Sequence, residues 1–180
     1  MIEMNQKEEP LNVLFLGGSN SVRSIMAEAI LNREGMGRFR AFSAGREPSG
    51  KVHPCALDLL SKLNFDISKL HSKSWSEFAG AGALPLDLVF TVCDSVADMP
   101  CPNWPGDPMT GNWALPDPSL TKGKDPEIRL AFADAFRMLN NRVVILASLP
   151  VRSLDKSSLR RQLELIAKRK DSFKSAAAAA

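Results

Sequence analysis

The chain has 180 residues, 44% hydrophobic and 24% charged, proportions of an ordinary globular protein that exclude disordered and fibrous classes. A single domain is expected at that length. Lys and Arg outnumber Asp and Glu by only 23 to 20, a net +3, too small an excess to argue for nucleic acid or a membrane surface as a partner by bulk electrostatics, and neither is expected; it leaves room for a local anion site.

Residues 1–10 are polar and acidic and are expected to form a flexible segment ahead of one domain over 11–170. Residues 11–16 (LNVLFL) make a short apolar run closed by Gly17-Gly18, the mark of a buried strand. From Ser24 apolar residues recur at helical spacing until Gly35 and Gly37 stop the helix. Residues 38–44 (RFRAFSA) alternate as a second strand. His53-Pro54 opens a second helix, with Pro in its first turn and Ala56, Leu57, Leu59, Leu60 and Leu63 as its apolar face.

Residues 85–93 (PLDLVFTVC) read as a third strand buried on both faces. The stretch 99–118 is rich in Pro, Trp and Gly, lacks a period, and reads as a long functional loop. Residues 126–140 are expected as a helix, 142–149 (RVVILASL) as the fourth strand, and 157–170 as a last amphipathic helix. Residues 171–180 end in five alanines and form a tail without fold signal. The alternation predicts an α/β fold, a four-stranded parallel sheet flanked by helices on both faces. Ligands of such sheets bind outside the carboxyl ends of the strands, here the loops after the first and third strands.

The cysteines number three, an odd count that makes no disulfide framework and points to a cytoplasmic chain with reduced thiols. The longest apolar runs, 86–92 and 143–149, fall far short of the ~20 residues that span a membrane. His53 and His71 stand far apart without carboxylates at ligand spacing, so no metal site is expected. Cys55 and the three tryptophans, Trp75, Trp104 and Trp113, read as packing residues. Arg160, Arg161, Lys168, Arg169 and Lys170 read as a solvated basic face. Nothing calls for more than a monomer.

Gly17, Gly18, Ser19, Asn20, Ser21, Val22, Arg23 and Ser24 join the first strand to its helix. Backbone amides of such a loop, the helix N-terminus and an Arg are the parts of an oxyanion cradle. An ordinary glycine-rich turn with a surface Arg has the same composition, and spacing alone does not separate the two.

The run VLFL-x3-N-S-x-R-S-I-M-A-E-A-I-L-N, followed in order by F-S-A-G, V-H-P-x-A-L, S-K-S-W-x-E-F, F-T-V-C-D and P-D-P, resembles the arsenate reductases of the low-molecular-weight protein tyrosine phosphatase superfamily over about 11–165. The resemblance implies the same four-stranded sheet. It also implies a phosphate loop in which Asn20, Arg23 and Ser24 match the family's Asn, anion-binding Arg and Ser. The family's nucleophilic Cys falls on Gly17, and Gly18 and Ser19 depart from the usual run as well, which reads as divergence. Glycine has no side chain with which to form a cysteine–arsenic or cysteine–phosphorus adduct.

By the same resemblance Cys93 and Cys101 occupy the two relay positions of the thioredoxin-coupled reductases, and Asp117, between Pro116 and Pro118, matches the general acid. No bound cofactor is implied. The reductant would be an external dithiol, thioredoxin. Two functions compete: arsenate reduction by descent, with turnover put in question at Gly17, and a non-catalytic relative. Such a relative would hold arsenate, phosphate or sulfate through Arg23 and the loop amides, or As(III) through Cys93 and Cys101. A phosphotyrosine phosphatase is a lesser alternative that needs the same missing nucleophile.

Overall fold

The strands β1 (Leu11–Gly17), β2 (Phe39–Gly45), β3 (Leu88–Thr91) and β4 (Met109–Asn112) pair in parallel in the order β2-β1-β3-β4. The computed structural model describes residues 8–97 and 100–169. Of the expected N-terminal segment only residues 8–10 fall within that range, and the tail over 171–180 lies outside it.

Alternation along the central strand decides which side chains enter which core. Val13 and Phe15 of β1 join a large apolar cluster with α1 (Arg23–Glu34), α2 (Pro54–Lys62), α4 (Asp125–Ser148) and α5 (Lys156–Ala167). Leu14 and Leu16 face the other way, into a smaller cluster with Phe78, Val89, Cys93 and Val96. That second face is covered by a 3-10 turn at Trp75–Phe78 and the short α3 (Asp94–Ala97). The four long helices therefore share one face, and the other carries a thinner cover.

Helix α1 is buried from Ser24 through Leu31, as expected of a helix enclosed between a sheet and another helix. Its Asn32 exchanges two hydrogen bonds with Ala41 on the outer edge of β2, at 3.0 and 2.9 Å, which satisfies backbone groups that an edge strand leaves open. Pro54 opens α2 in the first turn, where His53 caps it by accepting from the Cys55 amide at 3.2 Å.

The structure corrects the expected fourth strand. Residues 142–149 are not a strand: all but the last are the end of α4, which runs unbroken for 24 residues. Buried Ala135, Met138, Leu139, Arg142, Val143, Leu146 and Ala147 keep a helical period across the Asn140-Asn141 step, and no Gly or Pro interrupts it. Packing on a helical face thus overrides the β-propensity of Val and Ile. The true fourth strand, Met109–Asn112, lies inside the stretch read as one long loop. It is a four-residue edge strand with alternate residues exposed and α5 packed beside it, too short and too polar to show a period.

Candidate anion-binding site

Strand β1 ends at Gly17, beside Gly45 of β2, and the chain reverses into α1 through residues 18–22. A strip from Arg46 to His53 holds this loop from outside. The amides of Arg46, Glu47, Ser49 and His53 donate to the carbonyls of Gly17, Gly18, Ser19 and Ser21 at 3.3, 3.0, 2.9 and 3.0 Å. Each carbonyl turned outward aims the amide that follows it, of residues 18, 19, 20 and 22, to the opposite side. Among the described residues no acceptor takes the N–H groups of residues 18–25, and Asn20 sits at φ 47°, the change of hand that makes successive amides converge. The first turn of α1 adds its partial positive charge to the same point.

A buried polar network fixes that conformation. Asn20 is 1% exposed. Its Nδ2 donates to Ser24 Oγ at 3.0 Å and Ser43 Oγ at 2.9 Å, and its Oδ1 accepts from the Lys73 amide at 2.8 Å. Ser43 donates in turn to Glu28 of α1, and Lys73 Nζ reaches Glu28 at 3.4 Å and the His71 carbonyl at 3.1 Å. Burial raises the Glu28 pKa against the opposing pull of Lys73. Gly45 is required here by close approach: a Cβ on it would stand 2.7 Å from Gly18 O and 2.9 Å from Asn20 N.

Gly17 has a different environment. A Cβ there would stand 3.0 Å from Ser24 Oγ and 3.9 Å from Asn20 N, so a side chain at this position points into the cradle. Its backbone does not adopt the left-handed region, and its tight neighbour is one side-chain hydroxyl, held by Asn20 Nδ2, rather than backbone.

Arg23 and Asp117, 94 residues apart, meet across the mouth. Arg23 Nη2 lies 2.6 Å from Asp117 Oδ2, and Nη1 donates to Leu115 O at 2.8 Å. Asp117 Oδ1 accepts from Ser119 N and Oγ at 3.0 and 2.7 Å, capping a short 3-10 turn. Residues 17–24 and Asp117 line one narrow concavity. Upstream of Asp117, buried Arg142 donates to the carbonyls of Trp113 at 2.6 Å and Ala114 at 3.4 Å, and Trp113 stacks on Phe90 at 4.0 Å.

The two relay candidates are placed unequally. Cys93 is buried, and its Sγ lies 3.3 Å from Ser95 Oγ. That hydroxyl is in turn 3.4 Å from where a Gly18 Cβ would stand. Cys101 is exposed, partial desolvation raises its thiol pKa, and no described contact joins it to the loop. Cys55 packs half-buried against the core, Trp113 is buried, and Trp75 and Trp104 meet edge to face at 6.3 Å. Among the described residues no group of three His, Cys, Asp or Glu could hold a metal ion.

Sequence reasoning thus named the loop, Arg23 and Asp117, and missed Glu28, Ser43, Lys73, Arg142 and the strip at 46–53. Glu28 within the apolar run MAEAILN was a visible signal, since a lone carboxylate on a buried helix needs a partner.

Residues 12–162 match the family model of low molecular weight phosphotyrosine protein phosphatases. An arsenate reductase of Bacillus cereus is 35% identical over 113 residues, 62% of this chain and 80% of that protein. A glutaredoxin arsenate reductase of Synechocystis sp. is 33% identical over 106 residues, 59% of this chain and 77% of that protein. Among solved structures, an arsenate reductase in the phosphate binding state aligns at TM-score 0.57 and 29% identity, covering 74% of this chain and 96% of that one. The chain belongs to the low molecular weight phosphotyrosine protein phosphatase family, and arsenate reductases are among its relatives there.

Proposed function

We propose that this chain binds tetrahedral oxyanions, arsenate or phosphate, in the loop over residues 17–24, as an arsenate-reductase-like family member whose covalent thiol step is lost at Gly17. The observation that carries this reading is the run of amides from 18 to 25 that no described acceptor takes, on a loop that lines one concavity with the Arg23 guanidinium. A helix N-terminus and an αL turn sharing one focus are an anion site in physical terms. The related reductase solved in the phosphate binding state supports the choice of anion. Glycine at position 17 supplies no thiolate, so the bound anion has no nucleophile at the family's point of attack.

A second reading keeps catalysis and gives the attack to Cys93. Ser95 Oγ lies 3.3 Å from Cys93 Sγ and 3.4 Å from where a Cβ on Gly18 would stand, which brings Cys93 near the rim of the loop. Thioredoxin is the reductant to try in that case, with Cys101 as the second thiol.

Isothermal titration calorimetry with phosphate and arsenate on the parent and on Arg23→Ala tests the binding reading. It requires measurable binding by the parent and a loss of at least tenfold in the variant. Equal binding by both proteins, or none by the parent, would refute it.

A further inference from the structure

Arg23 carries five N–H donors. One goes to Leu115 O and one to Asp117 Oδ2, and among the described residues no other acceptor engages the rest. Arg23 lines the same concavity as residues 17–24 and Asp117, where its remaining donors are available to a bound anion. Asp117 has divided its own oxygens: Oδ1 is held by Ser119 N and Oγ, and Oδ2 rests on Arg23 Nη2 at 2.6 Å. Both side chains are partly withdrawn from water, at 15% and 25% exposure. An oxyanion gripped by this guanidinium therefore lies against Oδ2 of a carboxylate.

Two unprotonated oxygens brought together on one guanidinium repel each other. A proton between them converts the contact into a short charge-assisted hydrogen bond. Hydrogen phosphate and hydrogen arsenate bring that proton at neutral pH, and sulfate has none to bring. We infer that Asp117 is a specificity-determining residue of this site, admitting oxyanions that carry a proton and disfavouring sulfate. The inference rests on the oxyanion reading above and adds what that reading leaves open, the means by which tetrahedral anions of one shape are told apart. Selection by unpaired charge, rather than by fit, suits ligands of nearly equal size.

Calorimetric titration with phosphate and with sulfate at pH 7.5, on the parent and on Asp117→Asn, tests it. The Asn side chain keeps an oxygen for the Ser119 cap and removes the charge; Asp117→Ser gives the same readout should the Asn variant not fold. The parent is expected to bind phosphate at least tenfold more tightly than sulfate. In the variant sulfate should strengthen at least tenfold and the preference should fall below threefold. A preference that survives in the variant, or a parent that takes both anions equally, overturns the inference and leaves the oxyanion reading standing. Binding of neither anion by any of the proteins overturns both.

Discussion

Lys73→Met removes an amine while keeping its apolar stem, and should destabilise the fold in a pH-dependent way. In the parent the Lys73 ammonium lies 3.4 Å from Glu28 Oε2, with side-chain exposures of 7% and 10%. Breaking a buried pair on one side costs about 3–5 kcal/mol. The long contact and the retained Ser43 hydroxyl place this case at the low end, about 3 kcal/mol at pH 8. Burial already raises the Glu28 pKa above its ordinary 4.5, and loss of Lys73 raises it further.

A carboxylate raised on folding contributes fully below its unfolded pKa, and that contribution is lost as pH climbs through the folded value. Parent and variant share the same unfolded carboxyl, so the penalty should grow as pH climbs through the raised folded pKa of Glu28 in the parent and on toward the higher one in the variant. Toward acid pH, where Glu28 takes up its proton in both proteins, it should shrink to about 1 kcal/mol, the worth of the lost hydrogen bond to His71 O. Urea unfolding of parent and variant at pH 5 and pH 8 gives both numbers. A penalty independent of pH, or one below about 0.5 kcal/mol at pH 8, would show that Glu28 is not a charge held by Lys73.

Gly45→Ala drives a methyl into Gly18 O and Asn20 N, backbone that cannot yield cheaply, so calorimetry should show at least a tenfold loss of phosphate affinity and denaturation a cost of about 2 kcal/mol. Gly82→Ala, whose Cβ meets nothing within 4 Å, should stay within about 0.5 kcal/mol of the parent by the same measurement. Arg142→Met leaves the carbonyls of Trp113 and Ala114 without their charged donor. It should cost roughly 2–3 kcal/mol in denaturant and alter the fluorescence of Trp113, which lies in the segment leading to Asp117.

The parts of this molecule that were legible in its sequence are those governed by local chemistry. An apolar run stopped by two glycines, a Pro in the first turn of a helix and an Arg leading into another helix each impose their consequence within a few residues. The failure at 142–149 is instructive because RVVILASL satisfies a strand pattern as well as a helical one. The choice was made by the phase of Ala135 to Leu139 upstream, which keeps one helical face buried. Strand β4 was hidden because an edge strand of Met, Thr, Gly and Asn draws its pairing from β3 and not from its own composition.

Within the site the same division holds. Backbone amides of the loop follow from glycine and helix geometry, whereas the network from Asn20 through Ser43 to Glu28 and Lys73 joins residues up to 53 positions apart. Arg23 followed from the loop's own composition and Asp117 from family resemblance, and only the folded chain shows that they touch.

The account rests on an intact cradle that lacks one thiol, and coupled arsenate reduction with thioredoxin, thioredoxin reductase and NADPH tests this most directly on the parent beside Gly17→Cys. The new Cβ has one tight neighbour, Ser24 Oγ at 3.0 Å, and stands 3.9 Å from Asn20 N in the loop. The account predicts arsenate-dependent NADPH oxidation by the variant and none by the parent. Turnover by the parent at the variant's rate would contradict it and assign the attack to another thiol, Cys93 first.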